Sequence, residues 1–263
     1  MGRAPRGPAT LRLGFLVRLG HAARGFVYVA MGALAGRAAL FSRRSATGPA
    51  GALRWVFRER YGALVVAMVA GGLLADAVFR AVEAWTRRKR GFFSWIAPAG
   101  RSAGAALLAF TAIRVGQSLR REPDGALLRE AAGWILRQSW GPRSLLAAGI
   151  VAGVVAVLEI AQGLTGRFRD RFRKKSMGRQ QRAWTSRVMR AGLAAHGALV
   201  GVMAAYLFRA GMESNPRDVV GSGDALERIR KLPFGPGLLA AIGAGLVAYG
   251  LSQWILAVYR RAE

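Results

Sequence analysis

With 263 residues, 53% of them hydrophobic, and a mean hydropathy of +0.24, the chain is too apolar for an ordinary soluble domain. Its formal charge of +27 would suit nucleic acid, but the charge lies mainly between long apolar runs, where membrane anchoring needs it, so no nucleic-acid binding is expected. The absence of cysteine excludes disulfides, thiolate catalysis and Cys-held metal centres, and His21 and His196 stand too far apart for a local metal motif, so neither metal nor cofactor is expected.

Residues 1–13 carry Arg3, Arg6 and Arg12 and read as a flexible basic lead. The stretch Arg18-Leu-Gly-His-Ala-Ala-Arg-Gly25 then opens an apolar run that closes at Arg37, with 18 residues between the two arginines. At roughly 1.5 Å per residue this run is about 27 Å long, close to the thickness of bilayer hydrocarbon. Its Ala33-Leu34-Ala35 could mark a cleaved signal peptide. The run recurs, however, at an offset of 172 positions, as Arg190-Ala-Gly-Leu-Ala-Ala-His-Gly197, with Met31 falling on Met203 and Arg37 on Arg209. The segment is therefore read as a retained structural unit.

Residues Ala52 to Phe57 mix apolar and basic side chains in the manner of an interfacial helix. A second span is predicted over Tyr61–Ala84, with Asp76, Arg80 and Glu83 on one face, closed by Arg87–Arg90. A third covers Phe92–Ile113 and includes Pro98 and Arg101. After a connector over Asp124–Trp140, a fourth span runs from Arg143 to Leu164 with Glu159 near its end. The loop Arg167–Arg187 is strongly basic. Within it Arg167, Arg169, Arg171, Arg173, Lys174 and Lys175 are expected to meet anionic lipid headgroups at the cytoplasmic face. The fifth span is the second copy of the first; a connector over Gly223–Lys231 follows, and a sixth span runs from Gly235 to Tyr259.

An offset of 173 carries Gly62 onto Gly235, Gly72 onto Gly245 and Arg87-Arg88 onto Arg260-Arg261, while Gly141-Pro-Arg-Ser-Leu-Leu echoes Gly235-Pro-Gly-Leu-Leu. The fold class read from this is an all-α polytopic membrane protein. Six transmembrane helices form three pseudo-symmetric repeats of membrane helix, interfacial helix and membrane helix, at residues 14–90, 91–175 and 176–263, within one membrane domain. Each repeat crosses twice, so the symmetry axis is expected along the membrane normal. Arginine and lysine are densest in the lead, at Arg87–Arg90, over Arg167–Arg187 and in the tail, which places both termini in the cytoplasm and the protein in the plasma membrane.

The pattern Arg-x-Gly-x-Ala-Ala-Arg-Gly at the head of one helix, a connector with Ala-Leu, then Phe-Gly before a glycine-rich helix resembles a bacterial membrane family known as domain of unknown function twelve hundred and six. The likeness is best at Arg18–Gly32 and Gly223–Gly250 and weakest in the middle unit, where Gly104-Ala105 stands at the Arg24-Gly25 position. It implies six membrane helices and no established activity.

Ionisable groups within the spans carry the remaining information, since each is costly in hydrocarbon unless paired. Depth along the helices suggests pairing Arg24 with Asp76, itself one turn from Arg80, Arg101 with Glu159, and His196 with Tyr249 or Gln253. Such groups could line a proton or solute path, or be structural pairs within hairpins. Gly32-x-x-x-Gly36, Gly149-x-x-x-Gly153 and Gly197-x-x-x-Gly201 fit close helix packing. Trp55, Trp85, Trp95, Trp140 and Trp254 read as interfacial anchors. No zinc-protease, Walker or nucleophile-elbow motif is present, so no catalytic residue is named and no enzyme is expected. A non-enzymatic membrane scaffold or regulatory partner comes first, with its protein partner unspecified. A small-solute or proton-coupled ion transporter is the alternative, and a lipid-modifying enzyme comes last.

Overall fold

The computed structural model describes residues 8–41, 46–87, 92–117, 125–166 and 179–259; the side chains of residues 8–17, 87, 92–101, 179–182 and 259 fall outside that description. Among the described residues the chain is all helix, with no strand. It runs α1 (Pro8–Leu40), α2 (Pro49–Phe57), α3 (Gly62–Arg87), α4 (Phe92–Gln117), α5 (Ala126–Leu136), α6 (Gly141–Thr165), α7 (Arg179–Glu213), α8 (Ser222–Arg230) and α9 (Gly235–Tyr259), with a short 3-10 turn at Pro216–Asp218 before α8. Four stretches are long and apolar enough to cross a membrane: Gly62–Thr86, Gly141–Thr165, Ala183–Glu213 and Gly235–Val258. Helix α1, which holds His21 and Arg24, and α4 are not among these four.

Two boundaries differ from the sequence reading. Helix α1 starts at Pro8, inside the expected lead, where proline's missing N–H costs nothing in a first turn. Helix α7 starts at Arg179, so the basic loop is helical over its last residues, which are rich in Arg, Gln and Ala that lose little on becoming helical. The lipid-contact residues Arg167 to Lys175 lie outside the described residues, as does the side chain of Trp95.

The chain divides into two compact units. Unit 1 comprises residues 1–26, 53–119 and 253–263. Here α3 lies against α4, with Ala105, Ala109 and Ala112 fully buried one turn apart along α4, and Ser102 Oγ donating to the Ala77 carbonyl at 2.8 Å. Alanine at each contact lets the two backbones close up. Helix α1 crosses α3 through glycines: a Cβ on Gly20 would lie 2.3 Å from Asp76 Cβ, and one on Gly72 would lie 2.9 Å from Ala23 Cβ. The outer face of α3 presents Tyr61, Leu64, Met68, Val78, Val82 and Trp85, an apolar stripe suited to lipid.

Unit 2 comprises residues 27–52 and 120–252. Helices α6 and α7 pack side by side along their length, with Gly149 against Phe208, Gly163 against Arg190 and Ala194, Gly197 against Ala156 and Ile160, and Gly211 against Leu146. Helix α9 meets α7 through Gly192 on Tyr249 and Gly245 on Ala195, the same kind of crossing that Gly20 and Gly72 make in unit 1. It also meets α1, where Gly32 would place a Cβ 2.5 Å from the Gly243 carbonyl. Of the three small-residue pairs read from the sequence, Gly32, Gly149 and Gly197 make the close approach. A Cβ on Gly36 or Gly153 would meet nothing within 4 Å, and one on Gly201 only ordinary contact at 3.7 Å. The Gly36 backbone still lies at the crossing, 3.0 Å from where a Cβ on Gly243 would fall.

Connectors gather around α8. Ala46 N–H donates to Glu227 Oε2 at 3.1 Å, Gly48 packs on Gly223, and Arg129 of α5 reaches both the Val219 carbonyl at 3.2 Å and the Asp224 carboxylate. Gly125 holds φ +81, a left-handed conformation that a side chain would strain, and it lies close to the Gly221 amide.

One turn occurs three times: the amides of Gly62, Gly141 and Gly235 donate to the carbonyls of Glu59, Gln138 and Leu232 at 2.8, 2.9 and 2.8 Å, and each glycine then opens a long helix. A Cβ would fall 2.0 Å from the Val56 carbonyl oxygen, 2.1 Å from that of Ile135 and 1.9 Å from that of Arg230. The residue before each glycine is aromatic and exposed: Tyr61, Trp140 and Phe234. Gly235→Ala should therefore destabilise the chain by about 1–3 kcal/mol, the order of backbone strain. Gly237→Ala, whose Cβ would meet nothing within 4 Å, should be neutral or stabilising by up to ~1 kcal/mol. Thermal unfolding of both variants in detergent checks this. Equal shifts for the two would contradict the geometry.

Candidate functional site

Asp76 is the most deeply buried acid among the described residues, with 1% of its side chain exposed. Because Gly20 has no side chain, α1 approaches α3 closely enough for Arg24, one turn on, to reach across: Arg24 Nη2 donates to Asp76 Oδ2 at 2.7 Å. Arg80, one turn along α3, donates from Nε to both carboxylate oxygens at 2.9 Å. Asp76 is thus gripped by two guanidiniums, and the trio carries one net positive charge. In the same unit the buried His21 donates from Nδ1 to Gln253 Oε1 at 2.8 Å, and Trp254 Nε1 donates to the Ala22 carbonyl at 2.9 Å, so α1 is tied to the end of α9 as well as to α3.

A second polar set lies in unit 2. Glu159 of α6 meets His196 Nδ1 of α7 at 2.6 Å, and the other ring nitrogen, Nε2, meets the Tyr28 hydroxyl of α1 at 2.9 Å. Tyr249 of α9 stacks flat on the imidazole, centroids 4.2 Å apart and planes 9° apart, while Tyr28 stands edge-on to both rings. Four helices contribute one side chain each. The approach is again permitted by glycine, with Gly197 against Ala156 and Gly192 against the Tyr249 backbone.

The groups expected to pair by depth fall as follows. Arg24, Asp76 and Arg80 meet. Glu159 pairs with His196; the side chain of Arg101, its expected partner, lies outside the described residues. His196 does touch Tyr249, by stacking, whereas Gln253 serves His21. Tyr28 went unremarked in the sequence because a tyrosine in an apolar run carries no charge to draw the eye. Its signal lies in matching it, by depth, to a histidine on another span.

Outside the spans, Glu227 of α8 accepts from Arg230 at 3.0 Å and from the Ala46 amide. Burial alone would raise its carboxyl, but those hydrogen bonds and the charges of Arg230 and Lys231 outweigh burial and hold it below the ordinary carboxylate value. Arg228 lies over the Tyr206 ring at 4.0 Å. Among the described residues no group of three His, Asp or Glu side chains could hold a metal ion.

Comparison with known proteins adds identity without activity. The family described as Domain of Unknown Function (DUF1206) matches residues 19–87 and 191–260, just over half of the chain. An uncharacterized protein, YxxB of Bacillus subtilis strain 168, is 26% identical over 254 residues, covering 92% of this chain and 90% of its own length. No solved structure matches the chain.

The two guanidiniums on Asp76 make a sharp energetic forecast. Asp76→Asn leaves two buried cations without their anion and should cost on the order of 3–5 kcal/mol. Arg24→Gln leaves Arg80 in place and should cost less, and the double variant should cost less than the sum of the two. Unfolding measured across the three variants decides: strictly additive losses would exclude coupling between Arg24 and Asp76.

Proposed function

The chain belongs to the DUF1206 family, and on the packing of its helices we propose that it is a non-enzymatic membrane scaffold or regulatory partner protein. What supports this reading is the closure of its buried polar groups on one another. Asp76 is taken up by Arg24 and Arg80, His21 by Gln253, and His196 by Glu159 and Tyr28. Around them the helix pairs meet at glycine and alanine with backbone in contact, which leaves no width for a substrate between those pairs. A scaffold needs rigid, internally satisfied helices and exposed connectors, and these are what such packing supplies.

The architecture we propose has six spans in three repeats within the plasma membrane, both termini cytoplasmic, and the basic run Arg167–Lys175 against anionic headgroups. The recurrence of one turn at Gly62, Gly141 and Gly235 supports three repeats, and the family's match to a first and a last stretch supports two of them. Proton-coupled transport is the second reading. It is favoured by one observation, the titratable chain of Glu159, His196 and Tyr28.

Orientation is testable directly. Reporter fusions at Arg173 and at Glu263 should both report the cytoplasm, because the densest Arg and Lys runs lie beside those positions. A periplasmic signal at either site would overturn the proposed topology.

A further inference from the structure

We propose that Glu159, His196 and Tyr28 form a proton-binding site, holding one exchangeable proton among α6, α7 and α1. The inference goes beyond a scaffold role and does not depend on it.

The first ground is geometric. An imidazole flanked by a carboxylate at one nitrogen and a phenol at the other can be hydrogen-bonded in either protonation state. When neutral, His196 donates from Nδ1 to Glu159 and accepts at Nε2 from the Tyr28 hydroxyl. When a proton is added at Nε2, one N–H bond forms and one O–H bond of a hydronium ion breaks, leaving water. Tyr28 Oη then accepts instead of donating, its own hydrogen turning about the C–O bond. No heavy atom has to move, since the contacts of 2.6 and 2.9 Å serve both states. Stacking on Tyr249 holds the ring in the plane that allows this and places a π face against the imidazolium. The contacts described around Asp76 and His21 are of other kinds. Asp76 is bonded to two guanidiniums that stay charged, and His21 Nδ1 faces an amide oxygen that only accepts.

The second ground is charge. Without the proton the set carries the full charge of the Glu159 carboxylate, and with it the charge is zero. Among the described residues, the side chains that meet His196 beside Glu159 are a phenol and a ring. Tyr249 of α9 contributes a ring, Tyr28 of α1 a phenol, and Arg190 of α7 spends its guanidinium on the Gly163 and Leu164 carbonyls at the end of α6. In a helix bordered by hydrocarbon, proton uptake neutralises this set.

The third ground is the internal repeat. At the offsets that relate the two matched stretches, Arg24 falls on His196, Asp76 on Tyr249 and Arg80 on Gln253. Gly20 packs on Asp76 as Gly192 packs on Tyr249, so the positions are equivalent in packing as well as in sequence. Where one copy has fixed guanidiniums around a carboxylate, the other has an imidazole, a phenol and an amide. Its anion comes from α6 instead. The replacement exchanges a permanent cation for one that comes and goes. Neither side chain is fully enclosed, with 13% of His196 and 21% of Glu159 exposed.

The chain has only two histidines, so nitrogen-15 labelling of histidine in the full-length protein in lipid nanodiscs gives two ring signals. A His21→Gln variant assigns the two, and His196 has through-space contacts to the Tyr28 and Tyr249 rings. Recorded from about pH 5 to about pH 8, the range in which imidazole ordinarily titrates, His196 should pass between a form with one N–H and a form with two. Glu159→Gln should weaken proton binding at His196 roughly tenfold or more, the size of effect an adjacent opposite charge produces. Tyr28→Phe, which keeps ring and volume, should leave the protein folded and change the Nε2 signal alone. If wild-type His196 keeps one form throughout while Glu159 stays ionised, the proposal fails, and the scaffold reading is untouched. It fails equally if Glu159→Gln folds and titrates as wild type does.

Discussion

A charge placed among hydrocarbon chains has nothing to solvate it, and most of the interior architecture follows from how this chain meets that constraint. Asp76 is enclosed almost completely, and two guanidiniums from two helices reach its oxygens. The arrangement fixes more than a pair distance. Arg24 can reach Asp76 only if α1 crosses α3 at one depth and one rotation, so the ion pair specifies the register of those helices. Apolar side chains alone would tolerate many registers at nearly equal energy. Whether such a buried pair adds net stability depends on its geometry, but breaking it is costly, and that asymmetry selects the native crossing.

Glycine is the complement of the same constraint. Short polar side chains such as Asp76 and His196 bridge helices only when the backbones nearly touch. Gly20 lies directly on Asp76, and Gly192 lies on the backbone of Tyr249, whose ring stacks on His196. In both places the small residue and the polar contact are neighbours and form one device. On α4 and α6, by contrast, a Cβ on Gly104 or Gly153 would meet nothing within 4 Å. A high glycine content therefore does not by itself mark an interface. What marks one is the carbonyl or side chain a Cβ would strike.

Much of this was legible in the sequence, and the parts that were not share a cause. Long apolar runs ending in arginine gave the helices, and equal depth from those arginines put Arg24 beside Asp76. Depth is one coordinate, however. It does not tell which helix stands next to which, nor how each is rotated, so it did not bring His196 to Glu159. For His196 it offered Tyr249 or Gln253: Tyr249 stacks on the ring, and Gln253 bonds to His21, 232 positions away. Helix ends were misjudged where charge was taken for loop: arginine and glutamine are good helix formers, and α7 begins at Arg179. Activity was legible in neither sequence nor family, because the chain carries no recognised catalytic motif and the family it matches has no described function.

The central claim is that the helices meet without water between them and that Asp76, His21 and His196 are bonded to neighbouring side chains. The chain contains no cysteine, so single cysteines can report on this without removing native ones. Ala35 in unit 2 and Ala109 in unit 1 are both fully buried, while Met212 is exposed. Each is replaced by cysteine in turn, and the folded protein is treated in membranes with a water-soluble maleimide, which reacts only with a hydrated, ionisable thiol. The account predicts labelling at Met212→Cys and none at Ala35→Cys or Ala109→Cys until the chain is denatured. Labelling of either buried position in the folded protein would reveal water among these helices and contradict it.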